Sequence, residues 1–434
     1  MEIYRTEITD GVSLTYLRSY KFKTACMSVS LLTQLSRETA AMNALIPFVL
    51  RRGTMRYPDM DAISAKLDEL YGTAIEPIVR RFGEIQTVGF YASFPEGDFL
   101  PGYKSVLNET AELMGQLLLA PNTKGGLLLP EYVDSEREKM LDAIRSVVND
   151  KRSYAVKRCL EEMCCYEDFA VGRYGGEDEC DNIRYKTLTR QYREILKTSP
   201  IEIFYCGRDH REDVVQALKD AFFSLPRGEI NYDIGTDVRM NAVEDTPRYA
   251  EDRMNVTQGK LVMGFRLGQS MEEPDFAALN VFNCVFGSGS SSKLFMNVRE
   301  KLSLCYYASS ALNTHKGLLI VSSGIDFDKF DQTRDEIFKQ LEEVKNGNFT
   351  EDEFASAKAG VVSELRSYMD VPSALESFYL AQTLRGLDYG PMEMAEMADE
   401  VTREQVQAIA GCVECDMIYF LRNGEDEDDV DSED

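Results

Sequence analysis

Two histidines, His210 and His315, are the only imidazole side chains in the 434-residue sequence, and 105 residues separate them. No His-Glu-x-x-His motif, nor the reversed His-x-x-Glu-His, can therefore be written, and these are the helical motifs that hold a catalytic zinc ion. The sequence also lacks a Walker phosphate loop and a Gly-x-Ser-x-Gly nucleophile turn. His210, within CGRDHRED, is interpreted as a surface or helix-capping side chain. These exclusions argue against the common hydrolytic sites.

Ten cysteines are spaced irregularly, which is not the pattern of a disulfide framework in a chain of this length. Cys412 and Cys415 have redox or half-zinc spacing, but no second pair accompanies them, so we interpret both as core or incidental thiols. Cys164 and Cys165, with Cys159 nearby, leave a soft-metal site open as an alternative. The sequence shows no apolar signal segment and no run of about 18 apolar residues. We therefore expect a reducing, cytoplasmic location and no membrane partner.

A glycine-serine segment, GSGSSS at residues 287–292, places Gly287 and Gly289 at two of the three glycine positions of a dinucleotide-binding fingerprint. Serine occupies the third position, and the segment lies between two predicted helices rather than after a strand. We interpret it as a flexible, capped entry to a helix rather than a phosphate loop.

The formal net charge is −26, and removing the eight acidic residues of the final eleven leaves −18. Such a body repels nucleic-acid phosphates and attracts basic partners or basic peptides. The segment 424–434, GEDEDDVDSED, contains eight acids and no base. We predict a solvated, disordered tail rather than a metal site.

The sequence segments that would form the helices and strands around any site occur twice along the chain. AAMN, ending at Asn43, recurs as AALN, ending at Asn280, and Gly83 and Gly317 begin similar strand segments at a comparable offset. LDAIRSVVNDKRSYA resembles VSELRSYMDVPSA at an offset of 221 residues. Three matches in the same order indicate a tandem duplication of a domain rather than a short solenoid repeat.

Each copy has the same predicted order of elements: strands, an apolar helix, a second helix, an alternating strand, and two long amphipathic helices. The long helices lie near 104–119 and 131–149, and near 329–345 and 351–368. This order predicts an α+β fold of two tandem homologous domains, each an antiparallel-rich sheet with helices packed on one face. We place the first domain at 1–224, a polar linker at 225–250 and the second domain at 251–423.

The apolar helix of the first copy, TAAMNALIPFVLRRGT at residues 39–54, carries a stripe with helical spacing: Met42, Leu45, Ile46, Val49 and Leu50. Pro47 removes an amide that would bond to the carbonyl of Asn43, and we expect it to kink the helix. The helix is strongly patterned for packing and carries no residue suited to acid–base or metal chemistry.

Taken together, these segments resemble the insulinase/pitrilysin-family zinc peptidases, in particular the half-size members that are like mitochondrial processing peptidase. The resemblance covers roughly residues 10–423. With RRGT as the anchor, the family's His-x-x-Glu-His frame falls on Ala44 to Phe48. It implies metal ligands at Ala44, Phe48 and Ala143 and a catalytic glutamate at Pro47, and all four are replaced. A resemblance of fold alone, without a former site, stays open and also predicts a chain that does not hydrolyse peptides by itself.

The second copy retains the family's segment better. Ser292-Lys293-Leu294-Phe295 and the run from Arg299 to Tyr306 are similar to its glycine-rich lead, Ser-Arg-Leu-Phe and Arg-Glu-Lys-Leu-Gly-Leu-x-Tyr. The resemblance implies substrate contacts by Arg299 and Tyr306, preceded by Gly287 and Gly289. Lys293 and Ser303 depart from the pattern. From the residues alone, a solvated arginine near a helix end and a half-buried tyrosine entering a strand are the ordinary interpretation, and only the resemblance favours a functional pair. The expected buried face of this helix comprises Leu294, Phe295, Val298 and Leu302.

The resemblance implies a non-catalytic subunit that pairs with a homologous zinc-bearing subunit and completes a clamshell peptidase acting on peptides. Zinc is then expected only in the partner, and this chain needs no cofactor of its own. The alternative is a structural or peptide-binding scaffold with no role in proteolysis, as in family members that resemble respiratory-complex core subunits. An enzyme of another class is the remaining possibility.

Overall fold

The structure is a computed structural model that describes residues 2–268 and 276–424. Apart from Gly424, the predicted acidic tail lies outside the described residues. The chain divides into two compact units. The first comprises Met1–Arg145, Val171–Thr236 and Met369–Leu384, and the second comprises Ser146–Ala170, Asp237–Tyr368 and Arg385–Asp434.

The strands are β1 (Glu2–Thr9), β2 (Val12–Arg18), β3 (Thr24–Gln34), β4 (Ala74–Phe82), β5 (Ile85–Pro95), β6 (Thr123–Lys124), β7 (Leu127–Leu128), β8 (Ile201–Gly207), β9 (Arg248–Met254), β10 (Gly259–Arg266), β11 (Cys305–Asn313), β12 (Leu318–Ile325) and β13 (Glu414–Asn423). The α-helices are α1 (Ala40–Leu50), α2 (Met60–Glu69), α3 (Leu107–Leu119), α4 (Pro130–Ser146), α5 (Lys151–Met163), α6 (Glu177–Asp181), α7 (Tyr185–Thr198), α8 (Arg211–Ala221), α9 (Phe276–Asn283), α10 (Phe330–Lys345), α11 (Glu351–Ser367), α12 (Pro372–Thr383), α13 (Pro391–Glu400) and α14 (Arg403–Gly411). Cys284–Ser288 and Leu294–Lys301 are wound as π-helices.

The first unit is built on a six-stranded sheet in the order β1-β2-β8-β3-β5-β4. All neighbours are antiparallel except β2 and β8. The longest pairing joins β3 to β5, from Thr24 opposite Pro95 to Gln34 opposite Ile85. Alternate side chains of these strands enter a core shared with α1, α3 and α7, because successive residues of a strand point to opposite faces.

The second unit has a five-stranded sheet in the order β11-β12-β10-β13-β9, antiparallel except for the β13–β9 pair. Helix α10 covers one face, where the ring of Phe338 packs edge-on against Phe265 with centroids 6.4 Å apart. The two antiparallel-rich sheets with packed helices confirm the predicted α+β fold. The four long helices predicted from the sequence are α3, α4, α10 and α11.

Each unit takes one helix from the other half of the sequence. Helix α5 follows α4 in the first half but packs on β10 and β13 of the second unit, through Ala155, Cys159 and Met163. Helix α12 follows α11 in the second half but packs on β8 and β3 of the first unit, where Leu375 meets Phe204. Both helices lie on the sheet face opposite the main helical layer of their unit, which adds to the one-face arrangement expected from the sequence.

This exchange is consistent with the internal repeat, since α5 and α12 begin 221 residues apart, the offset of the match between LDAIRSVVNDKRSYA and VSELRSYMDVPSA. The compact units therefore differ from the predicted ranges 1–224 and 251–423 at residues 146–170 and 369–384. Local periodicity identifies a helix but carries no information about which sheet that helix covers.

A buried ionic cluster fixes the segment after α5 to the second unit. Arg266 on β10 is fully buried and donates to both carboxylate oxygens of Glu167, at 3.1 and 2.6 Å, and to Asp416 at 2.9 Å. The ammonium of Lys316, also fully buried, lies 2.7 Å from Glu167. Because every one of these charges has an opposite partner, burial is tolerated, and loss of one partner would leave an uncompensated charge.

Candidate functional site

Helix α1 is buried almost all round, not only along its predicted stripe. Ala44, Leu45 and Leu50 have no exposed surface, and Pro47 is also buried. The helix continues through Pro47, and the amide of Arg51 still donates to the Pro47 carbonyl at 3.1 Å. The positions that the resemblance assigned to a metal ligand and a catalytic base therefore contribute apolar packing.

The other two replaced positions differ in environment. Phe48 is half-buried, and its ring packs edge-on against that of Tyr174, with centroids 6.4 Å apart. Ala143 is exposed on α4. Zinc requires nitrogen, sulfur or carboxylate donors, so the side chains of Ala44, Phe48 and Ala143 do not fit the metal that the family frame implies.

The polar side chains beside α1 form a network of hydrogen bonds between amide groups. These residues were not identified as functional from the sequence. Buried Asn43 donates to Gln86 Oε1 at 3.2 Å and accepts from Gln191 at 2.8 Å. Gln86 in turn donates to the carbonyls of Ala40 and Arg173, at 2.9 and 2.8 Å. Each member has its hydrogen bonds within the fold, which makes the network a fixed support for α1.

The histidines and cysteines do not assemble into a metal centre within the described ranges, where no three His, Cys, Asp or Glu side chains are suitably grouped. His210 precedes the first residue of α8 without a side-chain cap bond. Burial, with the nearby charge of Arg385, lowers the pKa of His315 to about 3, so this imidazole is neutral at physiological pH. All ten cysteines are free thiols, including Cys412 and Cys415.

The second unit presents the retained segment on its surface. Leu294 and Val298 are fully buried, while Arg299 is exposed. The Arg299 guanidinium lies 4.8 Å from the centroid of the Phe295 ring and 3.5 Å from a carboxylate oxygen of Glu300. An exposed guanidinium held over an aromatic ring keeps donors free for an external acceptor.

The prediction that Leu302 belongs to the buried face is wrong, because this side chain is 41% exposed. The α-helical spacing used for that prediction does not apply to Leu294–Lys301, whose π-helical winding rotates each later residue differently around the axis. Leu302 also lies beyond the last helical residue. Its neighbour Ser303 has φ of +49°, a left-handed conformation that favours glycine, the residue of the family pattern at this position.

Tyr306 occupies a β-bulge. Cys305 pairs with Ile325 and Tyr307 pairs with Gly324, so Tyr306 is the extra residue on β11. Its side chain is 64% exposed. A bulge redirects the side chain it carries and is frequent next to functional sites. The structure thus directs Tyr306 toward solvent at the start of an edge strand.

Strand pairing brings a further cation to this end of β11. Because Cys305 lies opposite Ile325, the turn that follows β12 is beside the bulge. In that turn the Lys329 ammonium lies 2.9 Å from Asp326, and this pairing raises the pKa of Lys329. Lys329 was not identified from the sequence, since only the register of two strands places it near Tyr306.

Gly287 and Gly289, in the glycine-serine segment before the second π-helix, both lie in close contact with neighbouring atoms. Gly287 is buried, and a Cβ atom there would lie 2.5 Å from Ser310 Oγ and 2.6 Å from a methyl carbon of Leu294. A Cβ atom at Gly289 would lie 2.7 Å from the carbonyl oxygen of Cys284. Both positions need glycine for close approach, and the structure places Gly287 beneath the surface that carries Arg299.

Comparison with known proteins agrees with this geometry. A family model described as the peptidase M16 inactive domain matches residues 182–361. A protein named probable inactive metalloprotease YmfF, from Bacillus subtilis, is 30% identical over 417 residues, which cover 96% of this chain and 96% of that protein. The chain belongs to the M16, or insulinase, family of peptidases. The resemblance drawn from the sequence is confirmed, and the chain is an inactive, M16 peptidase-like protein.

Solved structures extend the comparison. A conserved protein from Enterococcus faecalis superposes with a TM-score of 0.88 at 26% identity, covering 98% of this chain and all of that one. A peptidase M16 inactive domain from Pseudomonas fluorescens has a TM-score of 0.78 at 15% identity, covering 98% and 99%. At that lower identity the likeness establishes a shared fold. Among the residues of this protein that the structure describes, no helix is both long and apolar enough to cross a bilayer.

Proposed function

We propose that this M16 protein is a non-catalytic subunit that pairs with a zinc-bearing homologue and supplies Arg299 and Tyr306 to a peptide bound in the partner's active site. The observation that carries the proposal is the contrast between the two copies. The positions for metal and base on α1 and α4 are alanine, proline and phenylalanine, whereas the second-copy pair is present and exposed.

The chemistry of that pair suits a peptide ligand. A guanidinium and a phenol can donate hydrogen bonds to a peptide carbonyl and to the oxyanion that forms when the bond is attacked. Such donors need no metal in their own chain, so zinc is required only in the partner. The acidic body of the protein favours basic peptides among possible substrates, and ten free thiols favour a cytoplasmic location.

The test is reconstitution with a homologue that carries an intact His-x-x-Glu-His motif. Arg299→Ala and Tyr306→Phe should each leave the melting temperature of the isolated chain nearly unchanged, because surface substitutions usually cost under about 0.5 kcal/mol. Peptide cleavage by the complex should fall on the order of 10²-fold, the effect of losing one oxyanion donor. The exposed neighbour Lys301→Ala serves as the matched control and should leave cleavage unchanged.

The result also separates binding from catalysis. A loss confined to kcat would indicate contacts that tighten in the transition state, and a loss confined to KM would indicate contacts that only hold the peptide. Unchanged cleavage in both variants would contradict the proposal and favour the alternative, a scaffold that binds partners or peptides without a role in proteolysis. A large drop in melting temperature would assign both side chains to stability instead.

A further inference from the structure

The sheet face of the second unit that carries α5 holds an unusual tyrosine. Tyr307 on edge strand β11 pairs with Gly324 on β12, and Gly324 pairs with Lys260 on β10. A Cβ atom at Gly324 would lie 2.5 Å from the Tyr307 ring, so the ring lies across this glycine. The absence of a side chain on β12 lets one aromatic ring span the strands toward Lys260.

Two cations contact this one ring. The guanidinium carbon of Arg152, in the first turn of α5, is 4.3 Å from the ring centroid, and the Lys260 ammonium is 5.7 Å from it. Arg152 also donates to Ser309 Oγ at 2.9 Å, and Lys260 donates to Gln258. Within the described part of the chain, the side-chain hydrogen bonds of both cations are thus made to neutral groups, although the protein as a whole is strongly acidic.

The acidic side chain whose charge acts on Lys260 already has hydrogen-bond partners of its own. Asp150 caps α5, where its carboxylate accepts from the Arg152 amide at 3.1 Å and from the Ser153 hydroxyl at 2.5 Å. Burial lowers the pKa of Lys260, and the charge of Arg152 adds to that effect, while Asp150 opposes it. The two positive charges are therefore only partly compensated by Asp150, and a second negative group would stabilise both.

The third group is the Tyr307 hydroxyl. Its oxygen is buried and has no hydrogen-bond partner within the described part of the chain. Leaving a buried hydroxyl without a partner is unfavourable, and such exceptions are frequent where a ligand or water completes the site. Guanidinium, ammonium and hydroxyl groups all act as hydrogen-bond donors.

We propose that Arg152, Lys260 and the hydroxyl of Tyr307 form a binding site for a small oxyanion, a carboxylate or a phosphate. The planar guanidinium suits two oxygens of such a group, and the ammonium and hydroxyl supply further donors. The site lies on the α5 face of the sheet and involves neither Arg299 nor Tyr306, so it does not depend on the proposed pairing with a zinc-bearing subunit.

The test measures the melting temperature of the full chain at constant ionic strength, with chloride as the reference anion. Inorganic phosphate is one probe, and acetyl-Gly-Gly with a free carboxylate, compared with its C-terminal amide, is the other. A saturable rise with phosphate alone identifies a phosphate site, and a rise with the free dipeptide but not its amide identifies a carboxylate site. No saturable rise with either probe would overturn the proposal.

Variants assign the effect to these side chains. Arg152→Gln and Lys260→Gln should each weaken binding of the active probe at least tenfold, while Lys157→Gln should not, since Lys157 is a half-exposed residue of the same helix that pairs with Glu161. Tyr307→Phe should raise the melting temperature of the unliganded protein, because an unpartnered buried hydroxyl is removed, and yet weaken binding about tenfold. Equal affinity of Tyr307→Phe and the parent protein would contradict the role of the hydroxyl.

Discussion

Glu96, immediately after β5 in the first unit, should make the stability of this protein depend on pH near neutrality. Its side chain is 2% exposed and accepts from the Arg208 amide at 2.7 Å. Burial raises the pKa of this carboxyl to about 7, with Asp209 and Asp98 adding to the effect and the Arg208 amide and charge opposing it. A carboxyl group in such surroundings stays protonated at pH values well above its ordinary pKa of 4.5.

The raised pKa of Glu96 determines whether the stability of the folded protein rises or falls with pH. A group whose folded pKa is raised contributes stability that is fully present below its unfolded pKa and is lost as the pH rises through the folded pKa. The difference between 4.5 and about 7 corresponds to about 3 kcal/mol. Water entry and relaxation of the surface loop that carries Arg208 should reduce this, so we expect a loss of about 1–2 kcal/mol between pH 4.5 and pH 8.

The assay is urea unfolding of the parent chain and Glu96→Gln across that range. Glutamine keeps an acceptor for the Arg208 amide and cannot ionise, so the variant should lose less stability with rising pH and should exceed the parent at pH 8. Glu7→Gln, at an exposed residue of β1, is the matched control and should follow the parent. Parallel curves for Glu96→Gln and the parent would refute the reasoning.

Four further outcomes are expected. Ser303→Gly should raise the free energy of unfolding in urea by about 0.5–1 kcal/mol, because it relieves a left-handed backbone conformation; no gain would mean that the serine side chain offsets the strain. Arg266→Met should cost about 3 kcal/mol, the lower end for breaking a buried ion pair, because Glu167 and Asp416 lose their shared guanidinium but keep Lys316 and Arg248; a cost below about 1 kcal/mol would show that these two remaining cations suffice. The parent should bind no stoichiometric zinc by elemental analysis. The family's residues can be restored together in one variant that combines Ala44→His, Pro47→Glu, Phe48→His and Ala143→Glu. This variant should not be an efficient peptidase, because a zinc site also needs supporting residues around its ligands, and strong peptide cleavage by it would contradict the prediction.

The sequence was informative wherever structure depends on local pattern. Apolar spacing identified α1 and the long helices, and the order of elements identified the α+β class, because both follow from burial of one face of each element. The same spacing underestimated the burial of α1, since Asn43 and Ala44 are also enclosed. A buried asparagine is tolerated because Thr33, Gln86 and Gln191 complete its hydrogen bonds. The two glutamines lie 43 and 148 residues away in the sequence.

The candidate site was predictable in its residue types but not in its geometry. Motif spacing selected Arg299 and Tyr306, yet their presentation depends on a π-helical segment and on one extra residue in β11. Neither feature was evident from the α-helical and strand spacing used to interpret the sequence, since a π-helix and a bulge both depart from those regular periods. Lys329 and the Tyr307 cluster became visible only when strand register brought β11, β12 and β10 together.

The exchanged helices α5 and α12 have a consequence for any attempt to divide this protein. Fragments 1–224 and 251–423, cut at the predicted linker, would each lack the helix that covers one face of its sheet. The first would also carry α5 with its apolar side, including Cys159 and Met163, open to water. Proteolysis within the linker should therefore leave two pieces that migrate together as one particle, and each piece made alone should aggregate unless the other is present. In a single-copy ancestor with this packing, two identical chains would have traded the same helix, and fusion of the genes would have turned an intertwined dimer into one polypeptide.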